Sequence, residues 1–277
     1  MSMEREEKLT AGWNIVRYDG ERLSELPVED RVAAEYPLTL RVGGEEFATI
    51  VCTPADLEEL VTGFLASEGV IRRAEDLESL QIDESKGIAY VRLKDNLAPR
   101  QADYARRFIG SCCGKSRQFY FKNDALTAKT VLSRMTVTPE DCLRLLEQLQ
   151  EGSAVFRETG GVHNAALGSA GGSLVSRTDI GRHNALDKLF GWCLRRRVPL
   201  GDKLIAFSGR LSSEVVLKTA KIGVGLILSK SAPTDLGLEL ADDLGITVIG
   251  FVRGGTFNIY THPERVAENT AGGSMQE

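Results

Sequence analysis

From Lys203 to Val252 the chain alternates short apolar runs with amphipathic stretches about twice as long, and few architectures accept that order. Lys203–Phe207, Val224–Leu228 and Ile246–Val252 read as strands, and Ser212–Ile222 and Pro233–Leu244 as helices. Strands separated by helices of ~10–12 residues need crossover connections, which are right-handed and leave the strands parallel. In such a sheet, ligands bind at the turns that lead from strand to helix. Thr256–Tyr260 reads as an edge strand or hairpin that follows the last of these strands.

Upstream the pattern differs. Leu38, Leu40 and Val42 alternate with polar residues, Gly43-Gly44 supplies a hairpin turn, and Phe47–Val51 returns. Thr53 and Pro54 read as the N-cap and first residue of a helix. Leu57, Leu60, Val61, Phe64 and Leu65 form its apolar stripe, and Gly69 ends it. Leu80–Ile82 and Ile88–Leu93 make a second β pair that turns at Glu84–Gly87. Thr138-Pro139 opens another helix to about Gln150, with Cys142, Leu145, Leu146 and Leu149 on one face. The expected division is a polar lead-in of low structural content over 1–35, a smaller N-terminal α+β domain over 36–134, and an α/β domain over 135–277. The boundary falls near Met135–Glu140.

Lys and Arg number 34 against 39 Asp and Glu, a net charge of -5. A general nucleic-acid coat is disfavoured, because phosphate binding needs a cationic surface. An anionic ligand must instead meet a local basic patch. One candidate is Arg100–Arg134, with eight basic and two acidic residues. No apolar run approaches the ~20 residues of a membrane span, and the charged N-terminus lacks a secretory h-region. Five cysteines, an odd number, point to a reducing, cytoplasmic setting rather than a disulfide scaffold. With three histidines and no Cys-x-x-Cys or His-x-x-x-His spacing, no metal centre is expected.

The sharpest chemical feature is Gly110-Ser111-Cys112-Cys113-Gly114-Lys115-Ser116. Flanking glycines suit an accessible loop, and Arg106, Arg107, Lys115 and Arg117 favour thiolate over thiol. Such a thiolate could hold a terminal sulfur, attack an acyl group, bind a metal or sense oxidant. Cys52, Cys142 and Cys193 sit on apolar faces and read as small buried hydrophobes. Thr159–Ala165 and Arg177–Lys188 share a His-Asn-Ala core, around His163 and His183. Gly181–Asn184 falls at a helix start, where free N–H groups favour an anion. Ser208-Gly209-Arg210, Ser229-Lys230-Ser231 and Phe251–Asn258 end the three strands, each with a Lys or Arg. Together they read as the rim of a site for a bulky anion such as a nucleotide or pyrophosphate. Neither Walker A nor G-x-G-x-x-G occurs.

SCCGKS, TGGVHNAA, RTDIGRHNALDK, SGRLSSE, SKSAPT and FVRGGTFNIY follow one another in this order. In them the chain, over roughly Pro37 to Arg265, resembles the FdhD/NarQ family of formate dehydrogenase accessory sulfurtransferases. The resemblance implies an α/β fold whose C-terminal domain is a cytidine-deaminase-like α/β/α layer, without the zinc-deaminase signature. It implies a sulfur carrier that accepts sulfur from a cysteine desulfurase as a cysteine persulfide. The sulfur passes to the molybdenum cofactor, in its bis-molybdopterin guanine dinucleotide form, before insertion into the catalytic subunit of formate dehydrogenase. GDP or GMP would then mimic part of that cargo. The family loop is usually Cys-x-x-Cys-Gly-Lys. Gly114-Lys115 aligns Cys113 with its second cysteine and Cys112 with the first, but the two-residue spacer is missing, so the carrier role stays open between the pair.

The family's cofactor segment matches Phe251, Val252, Arg253, Gly254, Gly255 and Thr256. His183, Asn184, Ser208, Gly209, Arg210 and Ser229 fall in turns that resemble the rest of the guanine-nucleotide pocket. Two nucleotide arms suggest two symmetric pockets, hence a C2 homodimer. Two other readings stand beside this one: a cofactor-holding chaperone without sulfur chemistry, and a nucleotide-modifying enzyme using His163 or His183 as base.

Overall fold

The structure is a computed structural model describing residues 8–94, 107–109, 128, 130–170, 172 and 175–267. Residues 8–35 hold more structure than the polar lead-in of low structural content expected over 1–35. There β1 (Thr10–Ile15) and β2 (Val28–Ala33) pair as an antiparallel ribbon. Leu9, just before it, is buried with Ala55, Val155 and Val162.

β3 (Tyr36–Val42) and β4 (Glu45–Cys52) form the expected hairpin. Gly43 and Gly44 turn it at φ 61 and 91, the left-handed backbone that a two-residue hairpin loop requires. Helix α1 spans Leu57–Ser67. It does not start at Thr53-Pro54: Asp56 caps it at φ 54, and Thr53 is buried in a polar network described below. β5 (Leu77–Asp83), β6 (Ile88–Leu93) and β7 (Arg107–Ile109) complete a five-stranded sheet in the order β5-β6-β3-β4-β7.

α2 (Pro139–Glu151) begins as the sequence dictates. Thr138 Oγ1 accepts from Asp141 N at 3.1 Å, and Asp141 returns a bond to Thr138 N. After α3 (Ala154–Thr159) come β8 (His163–Gly168), β9 (Val175–Asp179), α4 (Arg182–Arg196) and β10 (Leu204–Phe207). Then follow α5 (Ser213–Ile222), β11 (Leu226–Ser229), α6 (Asp235–Leu244), β12 (Thr247–Arg253) and β13 (Thr256–Ile259). The second sheet runs β13-β12-β11-β10-β8-β9. β10, β11 and β12 are parallel, as the alternation predicts, and β13 is the expected edge strand.

The two-residue period of the strands separates the faces. Leu204, Ala206, Leu226, Leu228 and Ile249 pack with Cys142, Leu145, Leu146 and Leu149 of α2. Ile205, Phe207, Ile227 and Val248 point the other way, onto α4, α5 and α6. That second core continues through α1 into Leu38, Leu40, Ile50, Ala89 and Val91 of the first sheet. One apolar core therefore runs through both sequence domains. Thr130–Arg134 lies against the α/β unit, with Val131 N bonded to Leu244 O at 2.8 Å and Ser133 against Gly225.

α1 crosses α4 at backbone contact. A Cβ on Gly63 would lie 1.8 Å from Asp187 O, and one on Gly191 would lie 1.9 Å from Glu59 O. Only glycine allows helices this close. Around the crossing sit buried ion pairs: Lys218 Nζ is 2.5 Å from Asp187 Oδ1, which also accepts from Ser67 Oγ at 2.6 Å.

Candidate functional site

The C-terminal ends of β9, β10, β11 and β12 lie on one edge of the second sheet, together with the start of β8. Serines tie their turns into a fixed rim. Ser229, fully buried, donates to Gly209 O at 2.8 Å and accepts from Ser231 N at 3.0 Å. Ser231 donates to Ser208 O, and Ser208 Oγ accepts from Asn164 N at 2.9 Å. Phe251 N bonds Ser231 O at 3.2 Å and joins the third turn. Phe251 adopts φ 55 beside a register shift between Gly250 and Arg253. A bulky residue there is strained, and such strain gathers at binding sites.

The β9–α4 turn is anchored from below. Asp179 and Lys188 are both 0% exposed and meet at 2.7 Å. Thr53 N and Oγ1 reach the same carboxylate oxygen at 3.0 and 3.1 Å, and Lys188 also donates to Thr53 Oγ1 and Thr178 O. The other carboxylate oxygen takes Gly181 N at 2.8 Å and Asn184 Nδ2 at 2.9 Å. Asn184 also donates to Val51 O, at 2.9 Å. The DIGRHNALDK stretch is therefore largely a clamp between β4 and α4. Both amide hydrogens of Asn184 serve it.

What remains at the rim is cationic. Arg182 Nε and Ser212 Oγ are buried without a hydrogen-bond partner among the described residues. Ser212 sits at the N-cap of α5, yet its side chain makes no capping bond. Arg210 and Lys230 are exposed, with no ion pair among the described residues. Arg253, also exposed, lies 5.3 Å from the centroid of the Phe251 ring. Gly254, Gly255 and Thr256 are exposed in the same hairpin, whereas the Val252 side chain is in the core against α2.

Two histidines flank Arg182. His163 Nδ1 lies 3.4 Å from Ser208 Oγ, and His183 Nε2 lies 2.8 Å from Glu214 Oε2. Burial holds the pKa of both below the usual imidazole value, and the Arg182 charge lowers them further. Glu214 opposes the shift at His183, with Lys218 adding to it. Neutral imidazoles beside an unpaired guanidinium suit a ligand that supplies the negative charge itself.

Cys52, Cys142 and Cys193 are buried, as their apolar settings predict. Burial pushes each thiol up to about 12. None is a thiolate near neutral pH, so none is a ready nucleophile. Cys112 and Cys113 lie outside the described residues. No group of three or more His, Cys, Asp or Glu suited to a metal occurs among the described residues. Among the described residues, no helix is long and apolar enough to cross a membrane.

A cavity of about 760 Å³ opens at the opposite sheet edge, by Gly201 and Gly223. Among its described lining residues the charged ones are Arg72 and Lys221, and Lys221 is bonded to Ser67 O. The convergent chemistry is at the rim. Arg182, Ser212 and Glu214 lie within the sequence motifs, but nothing in the sequence separates them from clamp residues such as Asn184. The available signal is that Arg182 and Ser212 fall at predicted helix starts.

Fold and rim together define a mixed α/β protein whose parallel strands end in a cationic edge fit for an anionic ligand. More narrowly, the chain belongs to the FdhD/NarQ family, whose sequence model matches residues 33–267. It is 61% identical over 238 residues to the sulfur carrier protein FdhD of Geobacillus kaustophilus, covering 86% of this chain and 90% of that one. It is 55% identical over 262 residues to the protein of the same name in Bacillus subtilis, covering 95% and 99%. A crystal structure of a candidate formate dehydrogenase accessory protein from Desulfotalea psychrophila superposes with a TM-score of 0.76. That match has 26% identity over 94% of this chain and all of the other.

Proposed function

We propose that this protein is a sulfur carrier serving formate dehydrogenase, with Cys112 or Cys113 as the carrier and the strand-end rim as the seat of the cargo. One observation carries the first part. All three described cysteines are buried thiols with raised pKa values. Chemistry at sulfur therefore falls to the glycine-flanked pair within the basic stretch, and the names of the relatives agree.

In the loading step a carrier thiolate attacks the outer sulfur of a persulfide on a cysteine desulfurase. The donor's S–S bond breaks, its thiolate leaves with the electron pair, and a persulfide remains on Cys112 or Cys113. No net oxidation occurs and no metal takes part. The cargo is the bis-molybdopterin guanine dinucleotide form of the molybdenum cofactor, received in the cytoplasm before insertion into the dehydrogenase. Its phosphates match Arg182, Arg210, Lys230 and Arg253, which lack carboxylate partners among the described residues. The unpaired buried atoms of Arg182 and Ser212 are of the kind a phosphate oxygen would satisfy.

Incubated with a desulfurase and cysteine, the protein should gain one cyanide-labile sulfur, mapped by peptide mass to Cys112 or Cys113. Persistence of that sulfur in the Cys112→Ala, Cys113→Ala double variant would exclude the loop. Restoration of formate dehydrogenase activity by the same variant in cells lacking this protein would favour the holding chaperone.

The cargo site has its own test. GDP is expected to bind, and Arg182→Gln to weaken it about tenfold or more, since a charge-assisted hydrogen bond contributes ~1.5–3 kcal/mol. Binding a phosphate favours protonated imidazole at His163 and His183, both held neutral in the free protein. Affinity should therefore rise as pH falls from about 8 to about 6, with proton uptake. Calorimetry in two buffers of different ionisation enthalpy reads that uptake, and its absence together with a flat pH profile removes the histidines from the site. The sign for stability is opposite. In the free protein a lowered imidazole pKa means the unfolded chain binds more protons, so this contribution to stability is lost as pH falls through the usual imidazole range.

A further inference from the structure

Three carboxylates fall within the motifs that build the rim, and the fold takes up two of them. Asp179 is wholly buried and bound to Lys188, Thr53, Gly181 and Asn184. Asp187 is buried as well, against Lys218 and Ser67. Glu214 differs. Its side chain is 30% exposed, in a rim whose other exposed charges, Arg210, Lys230 and Arg253, are cationic.

Helix capping does not explain its place. A glutamate that closes a capping box stands third in its helix. Glu214 stands second in α5, and the third place belongs to Val215. The helix dipole favours an acid anywhere in this turn, but it does not set the direction of the carboxylate. That direction is toward His183, whose Nε2 lies 2.8 Å from Glu214 Oε2. Burial keeps this imidazole neutral, so it brings no charge to offset the acid. A carboxylate in a phosphate site repels the phosphates. The part of the ligand beside Glu214 must therefore bring hydrogen-bond donors.

We propose that Glu214 selects the base of the cargo, its two oxygens accepting from the ring N–H and the exocyclic amino group of a 2-amino-4-oxopyrimidine edge. The inference rests on reading the rim as the seat of the cargo. Guanine and pterin both carry this edge, and the proposed cargo contains both. Two parallel N–H donors match the two oxygens of a carboxylate, a charge-assisted pairing that is both strong and directional. The carbonyl on the same edge needs a donor. The first-turn N–H groups of α5, which the Ser212 side chain leaves uncapped, are suited to it.

Spacing agrees. Glu214 follows β10, and Arg253 ends β12, two strands away in the sheet. Neighbouring strands lie ~4.8 Å apart, which separates the two turns by about 10 Å. A nucleotide spans such a gap, with its base at Glu214 and its phosphates toward Arg253. Other bases fit less well. Hypoxanthine keeps the ring N–H but lacks the amino group, and adenine turns a bare ring nitrogen to the carboxylate. A site built to bond both donors rejects an analogue that lacks one, by about tenfold or more when the bond is charge-assisted.

Calorimetry of the full chain tests this with two pairs of ligands. One pair is GDP and inosine diphosphate. The other is pterin and lumazine, which has oxygen in place of the 2-amino group. A preference of about tenfold or more for the amino-bearing member is expected, and the pair that shows it identifies the base that is read. Glu214→Gln should abolish the preference. When guanine is the base, the same variant should gain affinity for xanthosine diphosphate, whose 2-oxo group accepts from the new amide. Misfolding cannot produce that gain. Glu214→Ala should bind both members of each pair alike. A wild type with no preference in either pair overturns the inference, as does a preference that survives either substitution. A Glu214→Gln chain that loses GDP without gaining xanthosine diphosphate overturns it too. In these cases GDP binding by the wild type leaves the cargo reading standing. A wild type that binds neither GDP nor pterin overturns both.

Discussion

Lys188→Met is expected to destabilise the protein by ~3–5 kcal/mol, since it leaves a buried carboxylate uncompensated. Lys188 and Asp179 are wholly buried and meet at 2.7 Å. The same carboxylate holds Thr53 at the end of β4, and Gly181 and Asn184 at the start of α4. Its disturbance therefore reaches the rim through the backbone, and GDP affinity should fall along with stability. Urea denaturation reads the first effect and calorimetry the second. The comparison that isolates the pair is Lys188→Met combined with Asp179→Asn, which removes both charges. A buried pair replaced on both sides loses far less than one broken on one side, so the double variant should be more stable than Lys188→Met. A double variant that is worse by the sum of the two singles would refute the account of a charge pair.

Gly191→Ala gives the second large effect, and its sign distinguishes structure from sequence. Alanine in a helix interior is favoured over glycine by ~1 kcal/mol. Taken by propensity alone, the substitution stabilises α4. In the fold the added methyl would lie 1.9 Å from Glu59 O, a backbone atom of α1. The helices must part, and the core that continues from α4 through α1 into the first sheet opens with them. Overpacking of this kind costs ~1–3 kcal/mol and occasionally more, and contact with backbone places this case at the upper end. A fall in Tm of roughly 6–12 °C is expected for a chain of this size. Gly63→Ala, which would meet Asp187 O at 1.8 Å, should behave alike. An unchanged or raised Tm in either variant would mean that α1 and α4 do not cross at these glycines.

Much of the fold is legible because its signals are local. The Thr138-Pro139 cap, the Gly43-Gly44 turn and the alternation of β10 to β12 depend on residues within a few positions of one another. Two readings failed for the same reason. Thr53-Pro54 carries the marks of a helix start, but Thr53 is held by Asp179 and Lys188, more than a hundred residues away. Residues 1–35 read as a lead-in of low structural content by polarity, although register places Ala11, Trp13, Ile15, Val28 and Val32 on one face of a ribbon.

The candidate site divides in the same way. Sequence marks which turns are basic and which cysteines are flanked by glycine, since charge and flexibility belong to the residues themselves. It does not distinguish Asn184, whose amide hydrogens clamp the β9–α4 turn to β4, from Arg182, whose buried nitrogen is left free. In the sequence these two are near neighbours in one motif, and only the packing of β4 against α4 gives them different work. Sequence by itself determined the Gly43-Gly44 hairpin, the Thr138-capped helix, the parallel order of the central strands and the kinds of chemistry present. Tertiary structure decided which polar groups are consumed in holding the molecule together and which are left for a ligand, because hydrogen-bond capacity is finite and is filled first by whatever the fold brings within reach.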